Sequence, residues 1–325
     1  MTSALGKTPI FALIVPCYNE EEIFPYSLNK LIDLLQLLIQ KNQIDPKSFI
    51  CFVNDGSRDN TWSLIEKASK DSPMVKGIKL STNFGHQNAL MAGMLSFKDA
   101  CDCMVTIDAD LQDDIEVIET MIEKYKEGFS VVYGVRDKRD KDSFFKKYTA
   151  LLFYKLMQKM KVKTVYNHAD FRLLDQKVAN QLALFGEVNL FLRGIFPTIG
   201  FASTEVFYER KERLAGETKY PLRKMLNFAW DGITSFSVYP LRLIFILGIF
   251  IFLLSLGLTF WAFIPVFKGD AIHGWASTVI PIFLFAGIQM ISIGLIGEYV
   301  GKIYKEVKAR PRFIIEKIIQ QQDIK

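Results

Sequence analysis

The sequence predicts an α/β fold, with a mostly parallel sheet covered by helices on both faces, followed by two membrane-spanning helices. Three observations support this prediction. Short apolar runs alternate with amphipathic helical patterns in the first part of the chain, polar motifs follow the apolar runs, and two long uncharged apolar runs come late. Alternating strands and helices are typical of a parallel sheet. A chain of 325 residues has room for two or three domain-sized units.

Five short apolar runs are the predicted strands. They are Ile10 to Val15, Phe49 to Val53, Val75 to Leu80, Cys103 to Ile107 and Ser130 to Tyr133. The segments between them have the apolar spacing of helices. These segments are Glu21 to Gln40, Thr61 to Lys70, Gln87 to Phe97 and Ile115 to Glu127. Because such sheets bind ligands outside the carboxyl ends of their strands, we expect the functional site there.

Two carboxylates follow the fourth predicted strand. Asp108 and Asp110 are two residues apart, so they point the same way if the strand continues. Mg²⁺ prefers oxygen ligands, and a nucleoside diphosphate needs a cation as it leaves. The spacing therefore suits a metal-assisted nucleotide-sugar site. A solvated turn or a helix cap is the alternative interpretation.

Polar motifs also follow the first three predicted strands. Pro16-Cys17-Tyr18-Asn19-Glu20 follows the first, the segment from Asn54 to Asp59 follows the second, and Asn83-Phe84-Gly85 follows the third. The carboxyl ends of parallel strands share one edge, so we expect these motifs to meet there. The composition of the second motif also suits a plain turn.

Two uncharged apolar runs, Leu243 to Phe267 and Ala276 to Gly297, are predicted to form a transmembrane hairpin. Each exceeds the roughly 20 residues that cross a bilayer. Two buried helices of a soluble core are the alternative, although soluble helices of that length usually keep a polar face. Both flanks are rich in Lys and Arg, so the positive-inside rule places both termini in the cytoplasm. In a bacterium, the hairpin is predicted to cross the plasma membrane.

Charge and cysteine content argue against a nucleic-acid-binding protein and against a zinc protein. The net charge of +5 reflects these basic flanks, which suit anionic lipid headgroups, and no nucleic-acid motif is present. The four cysteines and three histidines lack zinc-site spacing. All four cysteines precede the apolar runs, so we expect reduced thiols in the core.

Residues from about 8 to 237 resemble a family 2 glycosyltransferase of the GT-A fold, a Rossmann-like α/β fold. The matching motifs are Val15-Pro16-x-Tyr18-Asn19-Glu20, Asn54-Asp55-Gly56-Ser57 and Asp108-x-Asp110-x-Gln112. With its two apolar runs, the whole chain resembles the polyisoprenyl-phosphate glycosyltransferases, which include GtrB-like enzymes and dolichol-phosphate mannose synthase. The chain departs from the family at Asn54, where Asp is usual.

The resemblance implies roles for individual residues. The implied donor-binding residues are Pro16, Tyr18, Glu20, Asp55 and Asp108. The implied ligands of Mg²⁺ or Mn²⁺ are Asp108, Asp110 and Gln112. Asp110 and Asp170 are the implied catalytic carboxylates. Asp170 either acts as a base or orients a phosphate or an arginine, because a phosphate monoester is already anionic near pH 7.

Phosphate binding is implied for a set of basic residues. These are Arg136, Arg172, Arg193, Arg210, Arg213 and Lys219. An arginine can bind phosphate through two parallel hydrogen bonds. The alternatives are a surface arginine at position 136 and, for the last three residues, a basic segment that touches lipid headgroups.

The resulting prediction is inverting, metal-dependent transfer of a hexose from a nucleoside-diphosphate sugar to polyprenyl (undecaprenyl) phosphate at the cytoplasmic membrane face. UDP-glucose or UDP-N-acetylglucosamine is favoured as donor, and GDP-mannose is the alternative. A processive polysaccharide synthase and a non-enzymatic scaffold or lipid flippase are the rival classes. The predicted units are a catalytic domain (1–210), a basic loop with an interfacial helix (211–240), the hairpin (241–300) and a basic tail (301–325), and a homo-oligomer is left open.

Overall fold

The computed structural model describes residues 8–136, 168–188, 190–209 and 275–320, together with short helical stretches and single residues between 241 and 257. The strands within these ranges are β1 (Phe11–Cys17), β2 (Phe49–Asn54), β3 (Val75–Leu80), β4 (Cys103–Thr106), β5 (Val131–Arg136), β6 (His168–Asp175), β7 (Ser203–Tyr208) and β8 (Ile315–Ile319). The helices are α1 (Phe24–Gln40), α2 (Thr61–Asp71), α3 (His86–Phe97), α4 (Val117–Lys126), α5 (Gln176–Leu182), α6 (Leu192–Ile199) and α7 (Trp275–Lys308).

These strands form one eight-stranded sheet in the order β7-β5-β6-β4-β1-β2-β3-β8. The strands β1, β2, β3 and β4 pair in parallel, as do β5 and β7. The strand β6 is antiparallel to both β4 and β5, and β8 is antiparallel to β3. The predicted parallel strands are therefore confirmed, but the sheet is mixed, because β6 and β8 run against the others.

The centre of the sheet is buried on both faces, which explains why its strands are continuous apolar runs. Every residue of β1 and β2 is buried. On one face, α3 packs closely against β1 and β2. A Cβ at Gly93 would come within 2.4 Å of Cγ2 of Ile14 and 3.0 Å of Cγ2 of Val53, so glycine permits this close approach. This close packing sets the position of the N-terminus of α3 above the strand ends.

The C-terminal segment returns to the sheet. Residues 315–319 were predicted to belong to a basic tail, but they form β8 and pair with β3. Just before this strand, the backbone N–H of Val188 donates to both carboxylate oxygens of Glu306 at 2.8 and 3.1 Å, and Arg312 donates to the carbonyl of Phe185 at 2.7 Å. The end of α7 is thus attached to the domain that carries the cleft described below.

The helix α7 includes the second predicted membrane span, 276–297, whereas most of the first span, 243–267, lies outside the described residues. Within the described ranges, none of the helices combines the length and the apolar character needed to cross a membrane. The transmembrane hairpin stays a prediction.

Candidate active site

A cleft with a volume of about 430 Å³ lies at the carboxyl ends of β1, β2 and β4, beside the start of α3. The residues that line it are Pro16, Cys17, Tyr18, Glu20, Asp55, Asn83, Gly85, His86, Ala89, Asp108, Ala109 and Asp110. A cleft of this size suits a small-molecule ligand. The structure brings together all five residues that were predicted to bind the donor.

Hydrogen bonds join the loops after β1 and β2. The backbone N–H of Asn19 donates to Oγ of Ser57 at 3.0 Å, and the N–H of Arg58 donates to Oδ1 of Asn19 at 2.9 Å. The N–H of Glu20 donates to Oγ1 of Thr61 at 2.9 Å. Asn19 has a φ of 55°, a conformation that Asn tolerates better than most residues. These bonds hold the two motif loops as one wall of the cleft.

The buried Asp55 carboxylate anchors the loop that follows β3. It accepts hydrogen bonds from the backbone N–H groups of Phe84, at 2.7 Å, and Gly85, at 3.0 Å. Burial raises the pKa of Asp55, although these two donors act to lower it. Gly56, at a φ of +65°, lies so close to this loop that a Cβ there would be 2.5 Å from the backbone nitrogen of Asn83. Asp55 therefore both lines the cleft and positions the start of α3.

The paired aspartates lie in a tight turn after β4. The N–H of Leu111 donates to the carbonyl of Asp108 at 3.2 Å, and Leu111 has a φ of +46°. The N–H of Gln112 donates to Oδ1 of Asp110 at 3.3 Å. Asp108 and Asp110 are on the cleft wall, whereas Gln112 is buried and is not among the described residues that line the cleft.

The two aspartates fit a divalent cation. Loss of hydration raises the pKa of Asp108, His86 opposes this shift, and the carboxylates of Asp113, Asp170 and Asp110 add to it. Among the described residues, no group of three or more His, Cys, Asp or Glu side chains is arranged to hold a metal. Mg²⁺ at nucleotide sites is usually bound by one or two carboxylates together with substrate phosphates. Asp108 and Asp110 provide such a pair.

Asp170, on β6, is bound by two arginines. Arg172 donates to its Oδ1, and Arg193 donates to Oδ2 at 3.2 Å and Oδ1 at 3.4 Å. Burial acts to raise the pKa of Asp170, but Arg193, Arg172 and His86 hold it well below its usual range. The side chain of Arg172 is 1% exposed and stacks over Phe196, whereas that of Arg193 is 32% exposed. Arg193 alone of this arginine pair is open to a ligand.

Arg136 belongs to a second buried cluster. It donates from Nη2 to Oδ1 of Asp113 at 3.1 Å and from Nε to the hydroxyl of Tyr208 at 3.3 Å. The Tyr208 hydroxyl donates to the same Asp113 oxygen at 2.6 Å. Asp113 directly follows the aspartate motif, which was the available sequence signal for it. Tyr208 ends β7 and has no local sequence signal for this contact.

His86 was not predicted to belong to the site. Its Nε2 lies 3.4 Å from Oδ1 of Asp108 and 3.9 Å from Oδ2 of Asp170, and 43% of its side chain is exposed. Its position directly after Asn83-Phe84-Gly85, a motif at a strand end, was the signal that could have identified it. The predicted phosphate-binding residues Arg210, Arg213 and Lys219 lie outside the described residues.

Family comparisons agree with this geometry. Residues 12–183 match the model of glycosyl transferase family 2, and residues 239–303 match that of the GtrB C-terminal hairpin. The chain belongs to glycosyl transferase family 2. It is a glycosyltransferase, and its predicted family is confirmed.

Individual relatives extend over almost the whole chain. The Bacillus subtilis (strain 168) protein named "Uncharacterized glycosyltransferase YkoT" is 51% identical over 95% of this chain and 91% of its own length. The "Bactoprenol glucosyl transferase" of Shigella phage SfII is 38% identical over 94% of this chain and 97% of its own length. Among solved structures, the mannosyltransferase PcManGT from Pyrobaculum calidifontis, in complex with GDP-Man and Mn²⁺, is 13% identical. It has a TM-score of 0.46 over 94% of this chain and 89% of that one.

Proposed function

We propose that this glycosyltransferase moves a hexose from a nucleoside-diphosphate sugar to polyprenyl phosphate at the cytoplasmic face of a membrane, with inversion at the anomeric carbon. The observation that carries the proposal is the placement of Asp108 and Asp110 in one cleft, with Asp170 and its partly exposed partner Arg193 beside it. Asp108 and Asp110 suit a leaving diphosphate with its cation, and Arg193, held by Asp170, suits an incoming phosphate. The name of the Shigella phage relative supports a polyprenyl acceptor.

The reaction needs a nucleophile, an anomeric carbon and a leaving group in line. An oxygen of the lipid phosphate forms a bond to the anomeric carbon as the bond from that carbon to the diphosphate breaks, and the nucleoside diphosphate leaves. Attack from the side opposite the leaving group inverts the configuration. A divalent cation held by Asp108 and Asp110 would supply charge neutralisation for the departing diphosphate.

Asp170 orients Arg193 in this proposal and does not remove a proton. Its carboxylate accepts from two guanidinium groups, and its pKa is held well below the usual range, so it is a weak base. The second ionisation of a phosphate monoester has a pKa of about 6, so the acceptor is largely dianionic at neutral pH. The acceptor therefore needs no general base.

We further propose that the C-terminal hairpin holds the enzyme at the membrane and brings the lipid to the cleft. The match of residues 239–303 to the GtrB C-terminal hairpin supports this role. So does the apolar surface of α7, where Met290, Ile291, Ile293 and Ile296 are each more than half exposed. The attachment of Glu306 to Val188 joins this helix to the domain that holds the cleft.

The test uses the purified full-length protein in detergent with undecaprenyl phosphate. It is incubated separately with labelled UDP-glucose, UDP-N-acetylglucosamine and GDP-mannose, and the glycolipid product is extracted and its anomeric configuration determined by NMR. We expect one UDP-hexose to give a product of inverted configuration, and we expect excess EDTA to abolish transfer. Transfer from GDP-mannose alone would establish the mannosyl alternative. A retained configuration, growth of a polysaccharide, or no glycolipid with any donor would refute the proposal.

A further inference from the structure

We propose that His86 binds the phosphate group of the lipid acceptor, together with Arg193, and aligns it with the donor sugar. The inference rests on the proposed function and adds a substrate-contacting residue to it. The family motifs in the sequence do not include this histidine, and its role follows from its position between the two halves of the site.

His86 lies where the donor and acceptor groups meet. Its Nε2 is 3.4 Å from Oδ1 of Asp108, on the cleft wall, and 3.9 Å from Oδ2 of Asp170. Nη2 of Arg193 is 3.2 Å from that same Oδ2 atom. Arg193 donates a hydrogen bond to this oxygen, and the imidazole nitrogen of His86 lies near it but beyond hydrogen-bond distance. A phosphate oxygen that enters beside Asp170 can accept from both.

The structure holds His86 from both sides of the cleft. On the donor side, Asp55 accepts from the backbone N–H of Gly85, the residue before it, at 3.0 Å. On the acceptor side, Oε1 of Gln87 accepts from the backbone N–H of Leu192 at 2.8 Å. Leu192 directly precedes Arg193, so the first turn of α3 and the first turn of α6 are joined at these two residues. This bond links the backbone beside His86 to the backbone beside Arg193, which helps to position the two side chains for a shared ligand.

The charges of the Asp170 cluster favour a phosphate beside Arg193, whereas the Asp108 carboxylate on the other side of His86 opposes one. Two guanidinium groups and one carboxylate leave the Asp170 cluster with one net positive charge. Arg172 is buried, so Arg193 presents that charge to the cleft. A phosphate monoester carries a charge of roughly −1.5 to −2 at pH 7 and needs several donors when it loses water. The exposed His86 imidazole is placed to be the second donor.

A purely structural role for His86 as a partner of Asp108 makes a different prediction. In that case the imidazole would position the aspartate that faces the donor, and its loss would weaken binding of the nucleotide sugar. The two roles are therefore separated by which substrate is affected. They also differ in the reaction with water, because hydrolysis of the donor uses the donor site without the lipid phosphate.

The experiment compares the parent enzyme with His86→Ala and His86→Gln, all as full-length protein in detergent. The substrates are undecaprenyl phosphate and the nucleotide sugar found active in the transfer assay. We expect His86→Ala to lower kcat/KM for undecaprenyl phosphate by about 10- to 100-fold, the size of one hydrogen bond to a charged group. Donor affinity by calorimetry and donor hydrolysis without lipid should stay within about twofold. His86→Gln keeps an N–H donor and should recover much of the loss.

Lys98→Ala, at the opposite end of α3, is the control and should behave as the parent. An unchanged kcat/KM for undecaprenyl phosphate in His86→Ala would overturn the inference while the proposed function stands. Equal losses of donor affinity and donor hydrolysis would also overturn it, because they would place His86 at the donor. A parent enzyme that transfers no sugar to polyprenyl phosphate would instead refute the proposed function, and the inference with it.

Discussion

Two carboxylates that flank His86 have opposite electrostatic surroundings. On the proposed donor side, loss of hydration raises the pKa of Asp108, and nearby carboxylates add to this shift against the opposing effect of His86. On the proposed acceptor side, Asp170 is partly buried, and Arg193 and Arg172 hold its pKa well below the usual range. The difference indicates what each side requires from a ligand. A carboxylate with mainly anionic neighbours is stabilised by an added cation, whereas a carboxylate with two internal cations serves to position them.

The largest expected effect tests the donor side. We expect Asp110→Asn to lower kcat by about 10³-fold or more, because a cation at this pair acts on the leaving group and contributes several kcal/mol. The measurement is transfer to undecaprenyl phosphate over a range of Mg²⁺ and Mn²⁺ concentrations. Asp114→Asn makes the same change four residues away, outside the cleft lining, and should have little effect. Near-normal turnover of Asp110→Asn, or full parent activity in excess EDTA, would show that no metal acts at the donor side.

The second prediction separates the two arginines of the acceptor side. Arg172→Met should cost about 3 kcal/mol of folding free energy, because it removes one partner from a buried ion pair. Arg193→Met should cost about 1 kcal/mol or less of folding free energy, because Arg193 is partly exposed. It should nevertheless lower kcat/KM for the lipid acceptor more than Arg172→Met does. Thermal unfolding in detergent and steady-state kinetics measure both effects on a matched pair of variants. Equal destabilisation by the two substitutions would show that both arginines are structural.

The third prediction concerns pH and Asp170. A carboxylate with a lowered pKa is already charged above about pH 4, so the stability it contributes is present there and is lost only as the pH falls further. It cannot cause a rise in rate near pH 6. We expect transfer to rise near pH 6 as the lipid phosphate ionises and then to level off.

Asp170→Asn should lower the rate about 10-fold, because Arg193 is less well held, and should keep the rise near pH 6. The measurement is a pH–rate profile at saturating donor for the parent and the variant. A flat profile for the variant beside a rising one for the parent, with a loss of about 10² to 10⁴ in turnover, would instead establish Asp170 as the general base.

The smallest expected effect concerns the cluster that supports the aspartate turn. Tyr208→Phe removes a hydroxyl that donates to Asp113 at 2.6 Å and accepts from Arg136 at 3.3 Å, but it keeps the edge-to-face contact with Phe171. We expect a loss of about 1 to 2 kcal/mol in folding free energy, because two hydrogen bonds are lost and the longer one is weak. Tyr125→Phe is the control, since within the part of the chain that the structure describes its hydroxyl makes a single long hydrogen bond, of 3.4 Å, to the carbonyl of Asp102. Equal stability of Tyr208→Phe and the parent would show that this cluster does not stabilise the aspartate turn.

The donor half of the site could be predicted from the sequence because its signals are local. The strands β1 to β5 are apolar runs, and buried parallel strands are apolar throughout. Each polar motif directly follows its strand, so the rule for parallel sheets places the motifs together without any knowledge of long-range contacts. Asp108 and Asp110 were predicted in this way, and the resemblance to the family added Asp55.

The acceptor half could not be predicted in the same detail, because its contacts join residues far apart in the chain. Arg193 meets Asp170 through the packing of α6, and Tyr208 meets Asp113 only because β7 pairs with β5. The strand β8 is short, contains the adjacent charged residues Glu316 and Lys317, and lies after a basic segment, so only its pairing with β3 distinguishes it from a tail.

The sequence by itself determined the α/β class, the positions of the first five strands along the chain, the strand-end motifs and the family. Hydrophobic period and turn chemistry act over a few residues, so they can be recognised without coordinates. The tertiary structure decided which charges neutralise one another. It separated Arg172, a buried counter-ion, from Arg193, and it brought His86 between Asp108 and Asp170. The physical reason is that ion pairs and burial depend on distances across the fold, which the spacing of residues along the chain does not specify.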